Sequence, residues 1–179
     1  MAADINLLIP DFKDKVKTLL QNCKHRGIEM RPNEGVRDPF VQAKYWRQSR
    51  PSEAIQSQIK ELKARGADFL AYCLEHVGPQ HGDPVTNSIP GYSWHQWGEA
   101  LDCIWVVNGK AVWDLKAKVH GLNGFAVYAD EARKLGLDAG LLWSSFKDAP
   151  HVQLRPDADP SALYSITEID AAMKKRFGK

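Results

Sequence analysis

Apolar residues recur every three to four positions in several stretches of the chain, which is the spacing of an amphipathic helix. In the first stretch they are Phe12, Val16, Leu19 and Cys23, and Gly27 follows where a helix would end. The pattern predicts helices over about residues 11–26, 39–47, 52–73, 124–135 and 166–177. Gly66 interrupts the third helix, where it predicts either a kink or a break.

The segments between these helices predict a small sheet. Residues 101–107 are apolar and rich in β-formers, and Asn108-Gly109 is a strong signal for a two-residue hairpin returning through residues 110–113. Shorter strands are predicted at 28–31 and 151–154, with a turn around 32–35 and a loop over 78–93. Helices at both ends of the chain and a sheet between them predict an α+β fold, with a small antiparallel sheet flanked by helices.

Length and composition indicate an ordinary globular protein. The 179 residues are 44% hydrophobic and 26% charged, and no repeat or linker divides them, so a single domain over residues 1–179 is expected. The net charge of +2 is too small and too dispersed to indicate a nucleic-acid partner. No apolar run could span a membrane, no signal peptide is visible, and nothing indicates an oligomer. We therefore expect a monomer that is synthesised in the cytoplasm, with its three cysteines as buried free thiols.

Candidate chemistry lies in two segments of the second half of the chain. Asp102 is embedded in an apolar strand, where an unpaired carboxylate would be costly, so it needs a compensating partner. That partner is either an arginine or a metal ion. His95, which is expected to lie in a loop, and His151 are the other residues of a type that binds a catalytic zinc. Two imidazoles and one carboxylate leave the fourth position for water. Asp148, three positions before His151, could act as a general base.

Three segments, in order along the chain, resemble a known family. Residues 93–102 follow the pattern Ser-x-His-x-x-Gly-x-Ala-x-Asp, which resembles the first zinc motif of the M15 peptidoglycan peptidases (VanY-like, LAS-type). Residues 143–151 resemble their second motif, Trp-x-x-Phe-x-Asp-x-Pro-His. Residues 35–37 with the downstream Gln42 resemble the Gly-x-Arg segment of the family. The resemblance covers about residues 35–154, which would be the motif-bearing core of the domain.

The resemblance implies an LAS/hedgehog-like fold with Zn²⁺ held by His95, Asp102 and His151. Asp148 would act as general base and then as general acid.

It also implies that Arg37 contacts the substrate and stabilises the oxyanion, and that Ser93 lines the substrate site. Each role has an ordinary alternative. Arg37 could form a surface ion pair with a neighbouring acidic residue, Ser93 could be a turn or capping residue, and Gln42 could face solvent on its helix.

Two departures from the family pattern concern the surroundings of the metal site. Ser144 and Ser145 stand where many relatives have two glycines, and Gln153 stands where an acidic residue is common. These changes put substrate preference in question more than catalysis.

The implied activity is hydrolysis of peptide bonds in peptidoglycan stem peptides, and the preferred version is an L-alanyl-D-glutamate endopeptidase of the endolysin type, which would act on the cell wall. The alternatives are a D-alanyl-D-alanine carboxypeptidase or dipeptidase, and a zinc-stabilised binding module without turnover. In a third alternative the three residues bind no metal.

Overall fold

The computed structural model describes residues 3–178. Their contacts divide the chain into two compact units, one made of residues 3–36 and 97–156 and the other of residues 37–96 and 157–178. The expectation of a single domain over residues 1–179 stays a prediction.

The first unit contains the sheet. Its five strands are β1 (Glu29–Glu34), β2 (Ala100–Val107), β3 (Lys110–Val112), β4 (Asp138–Ala139) and β5 (His151–Gln153). They run in the order β1-β2-β5-β4, β3 pairs with the end of β2, and every pair is antiparallel. The helices of this unit are α1 (Pro10–His25) and α6 (Gly124–Lys134), with short 3₁₀ turns at Ile5–Leu7 and Gly140–Leu142. The α+β class with a small antiparallel sheet is therefore confirmed.

The core of the first unit follows the predicted helical stripe. Phe12, Val16, Leu19 and Cys23 are fully buried on α1, which packs against α6 and β1. Alternation along β2 turns Leu101, Cys103 and Trp105 into the same core. Gly124 begins α6 so close to the sheet that a Cβ there would overlap the indole of Trp105. The large buried side chains of β2 thus set how closely α6 can approach.

The second unit is helical. It comprises α2 (Pro39–Arg47), α3 (Ser52–Ala64), α4 (Asp68–Glu75), α7 (Ile166–Phe177) and all but the last residue of the one-turn α5 (Trp94–Trp97). Asp38 caps α2 by accepting a hydrogen bond from the N–H of Phe40 at 2.7 Å, and Ser165 and Glu168 form a capping box at the start of α7. Helix α4 packs against α2, α3 and α7. Its Leu70 N–H donates to the buried Asp170 carboxylate of α7 at 2.8 Å, which joins the two helices.

The structure differs from the sequence-based prediction at one place and decides between two predicted alternatives at another. The helix predicted over 52–73 is two helices, because Gly66 takes a φ of +75° and breaks the chain direction between α3 and α4. The turn predicted around 32–35 is wrong, since β1 continues to Glu34 with a bulge between Pro32 and Glu34. Proline is tolerated there because β1 lies at the edge of the sheet, where a strand does not need every N–H.

Within residues 3–178, no helix combines the length and the apolar character needed to cross a lipid bilayer.

Cys23, Cys73 and Cys103 are buried free thiols, as predicted. Burial raises the pKa of each thiol to about 12. Because only the thiolate is a good nucleophile, and very little thiolate forms this far below the pKa, we expect native protein to react very slowly with Ellman's reagent throughout pH 7 to 9. Denatured protein should release three equivalents. A thiol that reacts in native protein at the rate of a free cysteine would contradict this burial.

Candidate metal centre

The pairing of β2 with β5 places Asp102 directly opposite His151. The N–H of Cys103 donates to the carbonyl of Pro150 at 2.9 Å, and the N–H of Leu154 donates to the carbonyl of Glu99 at 2.8 Å. These flanking bonds make Asp102 and His151 a non-hydrogen-bonded pair, the kind in which cross-strand side chains are closest. Asp102 Oδ1 accordingly lies 2.9 Å from His151 Nδ1.

The imidazole of His151 is held on both sides. Its Nε2 lies 3.0 Å from Oε1 of Gln153, two residues further along the same face of β5. Burial acts to lower the pKa of His151, but the hydrogen bond and the charge of Asp102 outweigh it, so the pKa is raised overall. A proton and a metal ion therefore compete for a ring nitrogen of His151.

The second histidine comes from the one-turn helix α5, where His95 is buried. The prediction that His95 lies in a loop is wrong, because the N–H of Gln96 bonds to the carbonyl of Ser93 at 3.0 Å and closes a helical turn. The candidate ligand atoms of His95, Asp102 and His151 all lie within 4.8 Å of one another. The structure thus brings the three residues together, and their role as metal ligands stays a prediction.

These three residues fit a divalent metal by their chemistry. Two imidazole nitrogens and one carboxylate oxygen form a donor set of the kind found at catalytic zinc sites, with room for a fourth ligand. Both histidines are buried, and the Asp102 side chain is 20% exposed, so a cation would be partly screened from water. The negative charge of Asp102 would then be balanced by the metal as well as by its histidine neighbour.

Asp148 is positioned by a close approach of two backbone segments. Its N–H donates to the carbonyl of Gly140 at 3.1 Å, and its own carbonyl accepts from the N–H of His151 at 3.1 Å. A Cβ at position 140 would overlap the carbonyl oxygen of Asp148, so this approach requires glycine. The charge of Asp148 also helps to raise the pKa of His151, which places the two side chains in each other's electrostatic field.

Trp143 packs beside the same histidine. Its ring centre lies 5.3 Å from that of His151, and its indole N–H donates to Asp138 Oδ2 at 2.8 Å. The residues between Trp143 and Asp148 form an exposed loop that includes Phe146, which is 72% exposed.

Arg37 belongs to a buried amide network within the second unit. Its Nη1 donates to Oε1 of Gln42 at 2.8 Å, and its guanidinium lies 5.2 Å from the ring centre of Tyr45. The same Gln42 oxygen accepts from Nε2 of Gln96 at 2.9 Å, and Nε2 of Gln42 donates to the carbonyl of Ser88 at 2.6 Å. The solvent-facing alternative for Gln42 is wrong, since Gln42 is fully buried and orients the guanidinium.

Ser93 is half-buried, and its carbonyl accepts the bond that closes α5. This supports a role at the start of the helix. A role of its hydroxyl toward substrate stays a prediction.

Of two further residues that contribute to these networks, Gln96 was not identified by the sequence patterns, and Gln153 was noted only as a departure from the family pattern. Gln96 and Gln153 are both buried polar residues, and each accepts and donates through its amide. A glutamine two positions after His151 in an apolar strand was a possible signal, because a buried amide needs partners.

Two comparisons with individual proteins give partial matches. The peptidoglycan L-alanyl-D-glutamate endopeptidase CwlK of Bacillus subtilis (strain 168) is 30% identical over 79 residues, which are 42% of this chain and 47% of CwlK. The match therefore spans about half of the length of this relative. The crystal structure of the Serratia marcescens L-Ala D-Glu endopeptidase ChiX aligns with a TM-score of 0.45 and 16% identity, over 84% of this chain and 83% of that one.

A family model covers most of the chain. The model described as VanY: D-alanyl-D-alanine carboxypeptidase matches residues 6–142, which include Arg37, Ser93, His95 and Asp102 and end before Asp148 and His151. The second motif consequently rests on the β5 pairing and on the clustering of His151 with the other two residues. The match covers well over half of the chain, and the chain belongs to the VanY-like peptidases of the M15 family.

Proposed function

We propose that this protein is a zinc-dependent peptidase that hydrolyses the L-alanyl-D-glutamate bond of peptidoglycan stem peptides. The observation that carries the proposal is the convergence of His95, Asp102 and His151 in a member of a peptidase family. The similarity to CwlK favours cleavage of the L-alanyl-D-glutamate bond over cleavage of the other stem-peptide bonds that members of this family hydrolyse.

The proposed mechanism assigns one task to each residue. His95, Asp102 and His151 would hold Zn²⁺, which supplies Lewis-acid chemistry and lowers the pKa of a coordinated water to about 7. Asp148 accepts a proton from the attacking water and later donates it to the leaving nitrogen, so a single carboxylate acts first as base and then as acid.

Arg37 opposes the negative charge that develops on the carbonyl oxygen. It is suited to this task because Gln42 and Tyr45 hold the guanidinium before substrate arrives.

A second candidate activity is removal of the terminal D-alanine from stem peptides. The description of the matching family model, a D-alanyl-D-alanine carboxypeptidase, favours it. The two activities use the same centre and differ in which bond is presented to it.

Digestion of purified peptidoglycan, read by mass spectrometry, tests the bond specificity. We expect release of peptides that begin at D-glutamate, loss of this release with a chelator, and recovery on adding zinc. Release of terminal D-alanine alone would instead support the carboxypeptidase. No cleavage by zinc-loaded protein across several wall types would contradict both activities and favour a binding module.

The metal ligands are tested by metal analysis of purified variants. We expect about one equivalent of zinc in the wild-type protein and far less in the His151→Ala variant, because a three-residue site that loses one ligand binds weakly. His25→Ala is the matched control, since His25 is exposed at the end of α1. Equal zinc content in both variants would exclude His151 as a ligand.

The role of Asp148 is tested by Asp148→Asn, which keeps the size of the side chain and removes its basicity. We expect kcat to fall by at least about 100-fold, while zinc content and thermal stability stay close to wild type. Asp14→Asn is the control, because the Asp14 side chain is 75% exposed on α1. Loss of zinc in the Asp148 variant would assign this residue to metal binding instead.

A further inference from the structure

The 113–122 loop, which connects β3 to α6, carries large apolar side chains on its surface. Trp113 is 58% exposed, and Leu115 and Leu122 are exposed as well. Single exposed apolar residues are ordinary, but three within ten positions of one loop indicate a contact surface. None of them belongs to the proposed metal centre, so the proposed mechanism gives them no task.

The loop is held in place by hydrogen bonds at both of its ends. Asn123, which caps α6, donates from Nδ2 to the carbonyl of Leu115 at 3.0 Å and to that of Ala117 at 2.7 Å. Val119 and Leu122 exchange two backbone hydrogen bonds, of 2.8 and 3.0 Å. The side chains of Ala117 and Val119 pack against the core. A loop fixed in this way presents its exposed side chains to a partner at a low entropic cost.

Lysines lie between the apolar residues of this loop. Lys116 and Lys118 are exposed within it, and Lys110 is exposed on the adjacent β3, whereas Asp114 is the only acidic residue of this stretch of sequence. Within residues 3–178, none of the three lysines forms an ion pair. The loop therefore has an excess of positive charge, which attracts a negatively charged partner.

The start of the loop lies on the same face of the sheet as Asp102. Val112 of β3 pairs with Trp105 of β2, three residues from Asp102, and three residues of strand span about 10 Å. Val112 packs against the core, so alternation directs Trp113 to the opposite face of the sheet. Asp102 is on that face too, since it lies three positions from the core residue Trp105. Trp113 is thus on the order of 10 Å from the proposed metal centre.

The bond proposed as the substrate lies close to the glycan strand of peptidoglycan. L-Alanine is the first residue of a stem peptide, and its nitrogen is joined to a lactyl group on a sugar of that strand. One amino-acid residue spans about 3.5 Å, so the sugar follows within roughly 10 Å of the bond that is cut. A terminal D-alanine is several residues further from the strand. An enzyme that cuts the L-alanyl-D-glutamate bond must therefore accommodate the glycan strand at about the distance of Trp113.

We propose that the 113–122 loop binds the glycan strand of peptidoglycan, with the indole of Trp113 stacked on a sugar ring. This inference rests on the proposed function. A pyranose ring has a face of C–H groups that suits the flat apolar surface of an exposed indole, and the indole N–H can donate to a sugar hydroxyl. Lys116 and Lys118 attract the carboxylates that stem peptides carry along the strand. A protein partner fits the loop less well, because lysine is depleted at protein–protein interfaces.

Cleavage of two soluble substrates tests the contact: a stem peptide joined to its disaccharide, and the same peptide without sugar. For Trp113→Ala, we expect kcat/KM to fall about fivefold on the first substrate, as for one lost aromatic contact, and to stay within about twofold of wild type on the second. Trp113→Tyr keeps an aromatic ring and should recover most of the loss. Tyr72→Ala is the matched control, since Tyr72 is 46% exposed on α4 of the second unit.

Binding to insoluble peptidoglycan tests the loop without requiring turnover. Sedimentation of the Asp148→Asn protein with purified peptidoglycan measures the affinity while the polymer stays intact. We expect the added substitution Trp113→Ala to weaken binding about fivefold. Lys116→Ala with Lys118→Ala should weaken it by a similar factor and make it less sensitive to salt, because two charge contacts that salt screens are lost.

The control for the lysine variants is Lys60→Ala with Lys175→Ala, since both of these lysines are exposed on helices of the second unit. This pair should bind peptidoglycan as the starting protein does. Equally tight binding of the starting protein to anionic lipid vesicles or to single-stranded DNA would overturn the assignment to glycan, because it would show a general attraction to negative charge.

Equal losses of the Trp113→Ala variant on both soluble substrates would overturn the proposal, because they would assign Trp113 to folding or to the peptide. No sedimentation of the starting protein with peptidoglycan would overturn it as well. If the protein cuts neither substrate but binds peptidoglycan through Trp113, the proposed function fails and the glycan contact stands. If it cuts both substrates and Trp113→Ala changes neither cleavage nor binding, the proposed function stands and this inference fails.

Discussion

The candidate site depends on the register of one short strand pair. Strands β2 and β5 share only three paired positions, and the last of them sets Asp102 opposite His151. A shift of β5 by one residue would turn the side chain of His151 to the other face of the sheet, away from that of Asp102, because side chains alternate along a strand. The core reinforces the register, since Leu101 and Val152 occupy the adjacent pair and are fully buried on the opposite face.

The residues around this pair are held mainly through the backbone. Asp148 is placed by hydrogen bonds of its own N–H and carbonyl, and Gly140 permits that approach because it lacks a Cβ. Gln153 is oriented by a backbone carbonyl of Arg155. Preorganisation of this kind suits a catalytic centre, since groups already in place need not reorganise as charge develops during the reaction.

In the second unit, Arg37 is also held in position, here by side-chain amides rather than by backbone hydrogen bonds. Gln42 holds the guanidinium and accepts a bond from Gln96, whose own Oε1 accepts from the N–H of Gly91 at 2.6 Å. The loop carrying Ser88 and Gly91 is thereby tied to the same amides that orient Arg37. A change in any member of this network is expected to affect the others, because each buried amide shares its partners.

The sequence alone determined most of the helices, the hairpin-bearing strand and the identity of the three clustered residues. Helical periodicity is a local signal, so it predicts helices from the sequence alone. The order of the family motifs along the chain identified the three clustered residues. The tertiary structure decided what depends on non-local pairing: the bulge that lets β1 continue past Pro32, and the burial of Gln42 and Gln153. The sequence does not distinguish a polar side chain that is hydrated from one that is buried and hydrogen-bonded within the protein. Only the folded chain determines which of these partners the side chain has.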